Sequence, residues 1–344
     1  AQRKEYKSFI EMYTREEFSE ANREASQAIA DSILSQLVDG IARERALSHD
    51  QVRYLINNGP YLTQDALREK LVDRMDSRQN LVPIIREKLG QHIHFVSVGT
   101  YLHSLPHATK RDKVAVIFGS GIIQRDGESS VLDDLVMSAH SIYKAFQLAA
   151  NDKNVKAIVF RVNSSGGSPV ASETIYSMIN TIKERARKPV IISMSDAAAS
   201  GGYWISLAGS KIVAQPATLT GSIGVFGGKF VLSGLCEKLG IKFGHVTTSE
   251  NATLWSFIES FTPAQWVKLN ALMDDVYEGF TSRVAKERKM SREQVEAVAA
   301  RHRRLIDGLD RPQWPDSEHV CHGCGQRAAC GAAGERLAGA VRRR

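Results

Sequence analysis

The sequence predicts an α/β protein with a mostly parallel sheet, and two observations carry this prediction. Short apolar, β-branched runs alternate with helical patterns over residues 113–246, and strands joined by helical crossovers pair in parallel. In addition, two helical stretches near the start recur more than 240 residues later. We therefore expect one nearly complete α/β copy, preceded by the helical C-terminal end of a first copy.

The elements follow in order along the chain. Helices are predicted at residues 15–57, 131–150, 170–187, 200–208, 230–239 and 262–300. Strands are predicted at residues 113–118, 156–162, 189–193, 211–214 and 241–246. The strands are short and rich in Val and Ile, as expected of a sheet that is buried by helices.

The internal repeat rests on two collinear matches. Residues 41–52 (IARERALSHDQV) and 284–295 (VAKERKMSREQV) are identical at six of twelve positions, and both contain Ser-x-x-Gln, which predicts a capping box at a helix start. Residues 7–14 (KSFIEMYT) and 255–262 (WSFIESFT) are identical at five of eight positions. The copies differ at Lys7, which aligns with Trp255, so we expect a position that is buried or lines a cleft in both.

Composition excludes several classes of protein. The chain has 344 residues, of which 43% are hydrophobic and 24% charged, so it is neither disordered, collagen-like nor a disulfide scaffold. No apolar run is long enough to span a membrane. Most of the net charge of +7 comes from residues 301–344, which contain nine Arg and five acidic residues. We interpret this as a solvated basic tail and predict no nucleic-acid binding.

The same tail contains three of the four cysteines. Cys321 and Cys324 have a Cys-x-x-Cys spacing beside His319 and His322, and Cys330 follows. A closed zinc site needs four well-placed ligands, and no second Cys-x-x-Cys follows. We therefore predict neither a metal nor another cofactor.

Three glycine-rich turns follow predicted strands, where ligands of open α/β sheets bind. They are residues 162–168 (VNSSGGS), 196–204 (DAAASGGYW) and 218–225 (TLTGSIGV). Ser200 lies between small residues at an expected helix start, where its hydroxyl could be a nucleophile or only a helix cap. The alternatives for the other two are a tight strand-to-helix turn at residues 162–168 and a hydroxyl-rich turn at residues 218–225.

A nucleophilic serine needs a base. The candidate histidines lie outside the glycine-rich turns, which disfavours a Ser-His-Asp triad; they are His103, His107, His140 and His245. The other route is a Ser/Lys dyad, which requires a neutral lysine with a pKa lowered by burial. The repeat nominates Lys7, although an exposed surface lysine remains the alternative.

The chain resembles the signal peptide peptidase family SppA (protease IV), in the duplicated form of Gram-negative bacteria and plants. The resemblance lies in residues 157–168 (AIVFRVNSSGGS), 198–206 (AASGGYWIS) and 218–226 (TLTGSIGVF), and near the start in residues 5–8 and 23–25. It implies a ClpP/crotonase-like α/β repeat and a serine endopeptidase with a Ser/Lys dyad, acting on short apolar peptides such as released signal peptides.

The resemblance also implies roles for individual residues. Ser200 would be the nucleophile, Lys7 the general base, and Ser222 the residue that orients the lysine amine. The oxyanion hole would be formed by the N–H groups of Gly166, Gly167 and Gly201. Ser165 stands where the family usually has Pro, so we expect a looser turn there.

The resemblance further implies a domain division and partners. The segments would be residues 1–90 (end of the first repeat), 91–111 (connection), 112–305 (second repeat) and 306–344 (tail outside the family pattern). We expect a homo-oligomer, a tetramer by resemblance, at the periplasmic face of the inner membrane, held by an anchor absent from this chain. The alternatives are a non-catalytic, truncated scaffold and a crotonase-like acyl-CoA enzyme.

Overall fold

A computed structural model describes residues 1–3, 5, 7–104, 112–125 and 136–299 of the chain. The first hundred residues are mainly helical. They form β1 (Gln2–Arg3), a 3-10 helix (Ser8–Tyr13), α1 (Glu20–Arg45), α2 (His49–Asn57), α3 (Thr63–Arg68), a 3-10 turn (Arg78–Asn80), α4 (Leu81–Leu89) and α5 (Val98–Ser104).

Strands and helices then alternate. The first half comprises β2 (Lys113–Ser120), β3 (Ile122–Gln124), β4 (Val136–Ser138), α6 (Ala139–Asn151), β5 (Val155–Ser164), α7 (Pro169–Ala186) and β6 (Val190–Ala199). The second half comprises α8 (Gly201–Ser206), β7 (Lys211–Val213), β8 (Leu219–Gly221), β9 (Val225–Phe226), α9 (Ser233–Lys238), α10 (Pro263–Arg288) and α11 (Arg292–Ala299).

The central sheet is parallel throughout. Its strand order is β2-β5-β6-β7, and β8 pairs with the C-terminal half of β6. The apolar core lies on one face of this sheet, where Phe160 of β5 meets Phe146 of α6 edge to face, with ring centroids 5.2 Å apart. Burial alternates along β5 and β6, as it does in strands that have one covered face.

Two further pairings lie outside the central sheet. Strands β3 and β4 pair in parallel, and β1 pairs antiparallel with β9, with Gln2 opposite Phe226 and Arg3 opposite Val225. The second pairing joins the start of the chain to the segment that follows the third glycine-rich turn.

The internal repeat has a structural counterpart in two helix pairs. Helices α1 and α10 each have 26 residues, and each ends at a left-handed residue, Ala46 or Lys289. The next helix of each pair begins with the expected capping box, made by Ser48 and Gln51 in α2 and by equivalent residues before α11. The shared capping chemistry explains why this part of the sequence repeats most visibly.

Two predicted elements differ from the structure. Residues 241–246 do not form a strand, because this segment is exposed and has no neighbouring strand to complete its backbone hydrogen bonds within the described residues. The helix predicted at 131–150 begins only at Ala139, after β4, and residues 131–135 lie outside the described ones. Among the described helices, none is both long and apolar enough to cross a membrane.

Candidate active site

A cavity of about 570 Å³ opens where β5 and β6 end. All three glycine-rich turns contribute to it, and so does the segment around Lys7 from the start of the chain. Its lining is largely apolar and includes Phe9, Ile29, Ile122, Trp204, Leu219, Val225, Phe226, Val276 and Phe280. The cavity therefore combines an apolar wall with a few hydroxyl groups, one amine and exposed peptide groups.

Ser200 lies at a sharp turn between β6 and α8. Its φ of 53° and ψ of −120° are unusual for a residue with a side chain. Ser200 occupies the N-cap position of α8, but its hydroxyl makes no capping hydrogen bond within the described part of the chain. The backbone N–H of Ser200 donates to the carbonyl of Gly221 at 2.8 Å, which ties the second glycine-rich turn to the third. The hydroxyl is thus presented to the cavity rather than used by the helix.

The glycines of the first turn allow the backbone to approach Ser200 closely. A Cβ placed on Gly166, whose φ is 111°, would lie 2.7 Å from Cβ of Ser200 and 2.8 Å from the nitrogen of Gly201. A Cβ on Gly167 would lie 2.1 Å from the carbonyl oxygen of Ile123. Only glycine fits at these two positions, so the sequence pattern reflects a packing requirement.

The N–H groups beside Ser200 differ in their partners. The Gly166 N–H donates to Oγ of Ser164 at 3.1 Å, and that hydroxyl donates to the carbonyl of Gly121 at 2.6 Å. Ser164 thus stabilises the turn that contains Ser165. No described group accepts a hydrogen bond from the N–H of Gly167 or Gly201. Gly201 is the first residue of α8, where the helix itself provides no acceptor.

Lys7 is the one ionisable side chain among the described residues that line the cavity. Only 8% of its surface is exposed, and its Nζ donates to Oγ of Ser222 at 3.0 Å and to the carbonyl oxygen of Ser222 at 3.1 Å. Burial disfavours the charged amine and lowers the pKa of Lys7 to about 8. With this pKa about a tenth of the amine is neutral at pH 7, far more than in an ordinary lysine, whose pKa is about 10.4.

Two groups of contacts hold the segment that carries Lys7. Arg3, in β1, forms an ion pair with Asp274 of α10 at 2.5 Å and donates to Asn270. On the other side, the buried carboxylate of Glu11 accepts three hydrogen bonds. The donors are the hydroxyl of Ser19 at 2.6 Å, the backbone N–H of Ser19 and the side-chain amide of Asn22 at 3.0 Å. These hydrogen bonds, that of the Ser19 hydroxyl above all, lower the pKa of Glu11. Lys7 therefore enters the cavity from a segment fixed at both ends.

The structure corrects one expectation about the repeat. Lys7 lines the cavity, whereas its counterpart Trp255 is 57% exposed and lies outside it. The position is therefore buried in one copy only. The second copy presents an aromatic ring to solvent, where it contacts the edge of Phe261.

No histidine is among the described residues that line the cavity. His245 is exposed and faces Glu259 at 3.0 Å, and His103 is exposed at the end of α5. His140 is the second residue of helix α6 and does not line the cavity. His107 lies outside the described residues, as do His319, His322 and the three cysteines of the predicted tail. In the described part of the chain no cluster of His, Cys, Asp and Glu could hold a metal.

Sequence reasoning missed the residues that position the site from a distance. Arg3 and Glu11 act through contacts with α10 and with the start of α1, and neither belongs to a glycine-rich turn. One signal for Glu11 was available, because it lies within the repeated Ser-Phe-Ile-Glu stretch. Arg3 had none, since its partner Asp274 is 271 residues away.

Comparison with known proteins links these features to one family. A family model described as Peptidase family S49 matches residues 1–92 and 182–308, and the Clp protease model matches residues 122–219. Together they cover both the segment that carries Lys7 and the sheet that carries Ser200. The second match agrees with the parallel sheet and assigns the α/β repeat to the ClpP-like fold.

Individual relatives cover most of this chain. Protease 4 of Salmonella typhi is 32% identical over 86% of the chain and 49% of its own length. Serine protease SPPA, chloroplastic, of Arabidopsis thaliana is 29% identical over 88% of the chain and 47% of its own length. A ClpP1 mutant from Listeria monocytogenes covers 54% of this chain and 80% of its own, at 18% identity and a TM-score of 0.31. The chain thus spans about half the length of the curated relatives it matches.

Proposed function

Since this chain belongs to peptidase family S49, we propose that it hydrolyses peptide bonds with Ser200 as nucleophile and Lys7 as general base. One observation carries the proposal. The Ser200 N–H donates a hydrogen bond to Gly221, and the Lys7 amine donates to Ser222, the next residue along the chain. Ser200 and Lys7 therefore lie at the same wall of one cavity. A nucleophile paired with a base of lowered pKa is the arrangement that acyl transfer requires.

The hydrogen bonds of Lys7 support its role as a base. A neutral amine has two N–H groups and one lone pair. In the proposal, Ser222 accepts both N–H groups, through its hydroxyl and its carbonyl oxygen, and the lone pair is left for the proton of Ser200. Ser222 is therefore the orienting residue.

The reaction then proceeds in two steps. Lys7 takes the proton of the Ser200 hydroxyl as its oxygen attacks the peptide carbonyl, and the ammonium gives that proton to the leaving amine. Water then attacks the acyl-enzyme, with its proton passing to Lys7 and on to Ser200. The N–H groups of Gly167 and Gly201 would stabilise the oxyanion. The Gly166 N–H is engaged by Ser164, so Gly166 would contribute by allowing the close approach of its backbone.

The lining of the cavity indicates the class of substrate. Most of its side chains are apolar, and within the described residues none is acidic. We therefore propose that the substrates are short apolar peptides, such as released signal peptides, because burying apolar side chains drives their binding. We also propose that the chain works as a homo-oligomer, a tetramer by resemblance, at the periplasmic face of the inner membrane.

The two alternatives have less support. A non-catalytic scaffold predicts that Lys7 is undocked, whereas its amine is buried and hydrogen-bonded. A crotonase-like acyl-CoA enzyme would place carboxylates near the oxyanion hole, and the described cavity lining contains none.

Active-site labelling tests the dyad. A serine-reactive phosphonate should label the wild-type chain and should not label Ser200→Ala. It should react at least about 100-fold more slowly with Lys7→Ala, because general-base catalysis contributes about 10²–10⁴-fold. Lys229→Ala is the matched control, since Lys229 is also partly buried and donates to a carbonyl, that of Thr253, but lies outside the cavity. Equal labelling of the wild-type and Lys7→Ala chains would remove Lys7 from the mechanism.

A further inference from the structure

Four aromatic side chains follow one another from the cavity out onto the surface. Phe226 and Phe9 line the cavity, with ring centroids 5.6 Å apart. Tyr13 lies 6.4 Å beyond Phe9, and Phe230 lies 5.1 Å beyond Tyr13. We call these four residues the aromatic row.

The aromatic row is exposed along its whole length. The outer two rings, Tyr13 and Phe230, are 56% and 61% exposed, although aromatic side chains usually bury most of their surface. A contiguous apolar patch of this kind marks a binding surface more often than scattered exposed residues do.

The row also joins two distant parts of the chain. Phe9 and Tyr13 belong to the 3-10 helix that follows Lys7, whereas Phe226 and Phe230 follow the turn that carries Ser222. The pairing of β1 with β9 brings the two segments together. The contacts that place the amine of Lys7 in the cavity therefore also assemble the row.

We propose that the aromatic row is a distal subsite, which binds apolar side chains of a peptide several residues away from the bond that is cut. The occupant follows from continuity, because the row begins inside the cavity that holds Ser200. Its path of about 17 Å matches about five residues of an extended peptide. This inference rests on the proposed peptidase function and adds to it a minimum length and a second region of apolar preference.

Binding measured without hydrolysis tests the subsite directly. In the full chain carrying Ser200→Ala, fluorescence anisotropy would compare two ten-residue peptides that share an apolar centre. One peptide has apolar residues at both ends and the other has Ser and Asn there. Tyr13→Ala together with Phe230→Ala should weaken binding of the apolar-ended peptide about tenfold and of the polar-ended peptide less than about twofold.

Two control variants accompany this comparison. Phe18→Ala removes a phenylalanine that is equally exposed, at 60%, but lies outside the row, and it should leave both affinities unchanged. The single substitution Tyr13→Phe keeps the aromatic ring and should retain wild-type affinity. Retained affinity would attribute the loss in the alanine variants to the missing rings rather than to a misfolded chain.

Three outcomes would overturn the subsite. They are equal weakening for both peptides, no weakening for either, and loss of an oligomer in light scattering when the row is truncated, which would make it a contact between copies. Phosphonate labelling of the chain with Ser200 intact separates this result from the proposed function. Labelling without a difference between the peptides removes the subsite alone, whereas a difference between the peptides without labelling removes the catalytic role of Ser200.

Discussion

At the scale of single residues, backbone strain and burial prepare the candidate site for chemistry. Ser200 and Ser222 both have left-handed φ values, 53° and 50°, which cost about 1–3 kcal/mol each for residues with a side chain. The lysine amine is buried, and no carboxylate of the described residues pairs with it, which is unfavourable for its charged form. Such costs are expected where function, rather than stability, has selected the conformation.

The lowered pKa of Lys7 predicts the pH dependence of the reaction. The base must be neutral, and its pKa is about 8, so kcat/KM should rise about tenfold per pH unit below pH 8 and level off above it. Peptide hydrolysis measured from pH 5.5 to 9.5 checks this, with Lys7→Arg as the variant that stays charged and should be inactive. A flat profile, or one that falls with increasing pH over this range, would exclude a lysine base of this pKa.

The packing of Gly166 predicts a second residue-scale effect. Gly166→Ala would place a methyl group 2.7 Å from Cβ of Ser200, on a backbone whose φ is 111°. We expect phosphonate labelling to slow about 100-fold, because a displacement of about 1 Å at a reacting group costs that much. Gly228→Ala is the control, since nothing lies within 4 Å of its added Cβ. Wild-type labelling of Gly166→Ala would mean that the turn adjusts without moving Ser200.

At the scale of elements, the two helix pairs have the same geometry but different surroundings. In each pair, a backbone N–H just after the long helix donates a hydrogen bond to a carbonyl in its last turn. Leu47 donates to Ala42 at 3.0 Å, and Met290 donates to Ala285 at 2.9 Å. Phe280 of α10 is 2% exposed and stacks on Trp204, whereas the equivalent Leu37 of α1 is 54% exposed. The long helix of one pair is thus packed against α8 at this position, whereas the equivalent position of the other is exposed.

This difference predicts unequal effects of equivalent truncations. Phe280→Ala should lower the free energy of unfolding by about 3–5 kcal/mol, because it leaves a cavity beneath α8. Leu37→Ala should change it by less than about 0.5 kcal/mol. Urea unfolding of both variants checks this. A large loss in Leu37→Ala would indicate that another surface covers α1 in solution.

The sequence predicted elements well where the signal is local and poorly where it is not. Both capping boxes were predicted from a four-residue pattern, because the bonds involved are themselves local. Residues 241–246 have the alternation of a strand, but a strand also needs a neighbour, and the pattern carries no information about one. The prediction that Trp255 is buried or lines a cleft was wrong for the same reason, since alignment with Lys7 does not specify what surrounds Trp255.

At the scale of the whole molecule, the parallel sheet has one covered face. On the other face, Val114, Val116 and Phe118 of the edge strand β2 are exposed among the described residues. Parallel sheets are normally covered on both faces. This surface is consistent with the proposed homo-oligomer.

Self-association provides the corresponding test. Light scattering of the full chain should give a multiple of 38.0 kDa, and Phe118→Asp should reduce that mass, because a charge opposes burial of the sheet face. Val246→Asp is the control, because Val246 is also apolar and is 98% exposed but belongs to none of the strands. A wild-type chain that is monomeric at all concentrations would contradict the proposal.

The sequence by itself determined the parts that depend on local chemistry. The alternation of strands and helices and the repeated capping boxes are readable within a few residues, and the family match agrees with the fold they predict. The domain boundaries and the catalytic roles stay predictions. Only the tertiary structure decided that Lys7 is buried beside Ser222, while Trp255 is exposed. The physical reason is distance along the chain: Lys7 reaches the cavity through β1, β9 and the ion pair of Arg3 with Asp274, contacts that no local pattern encodes.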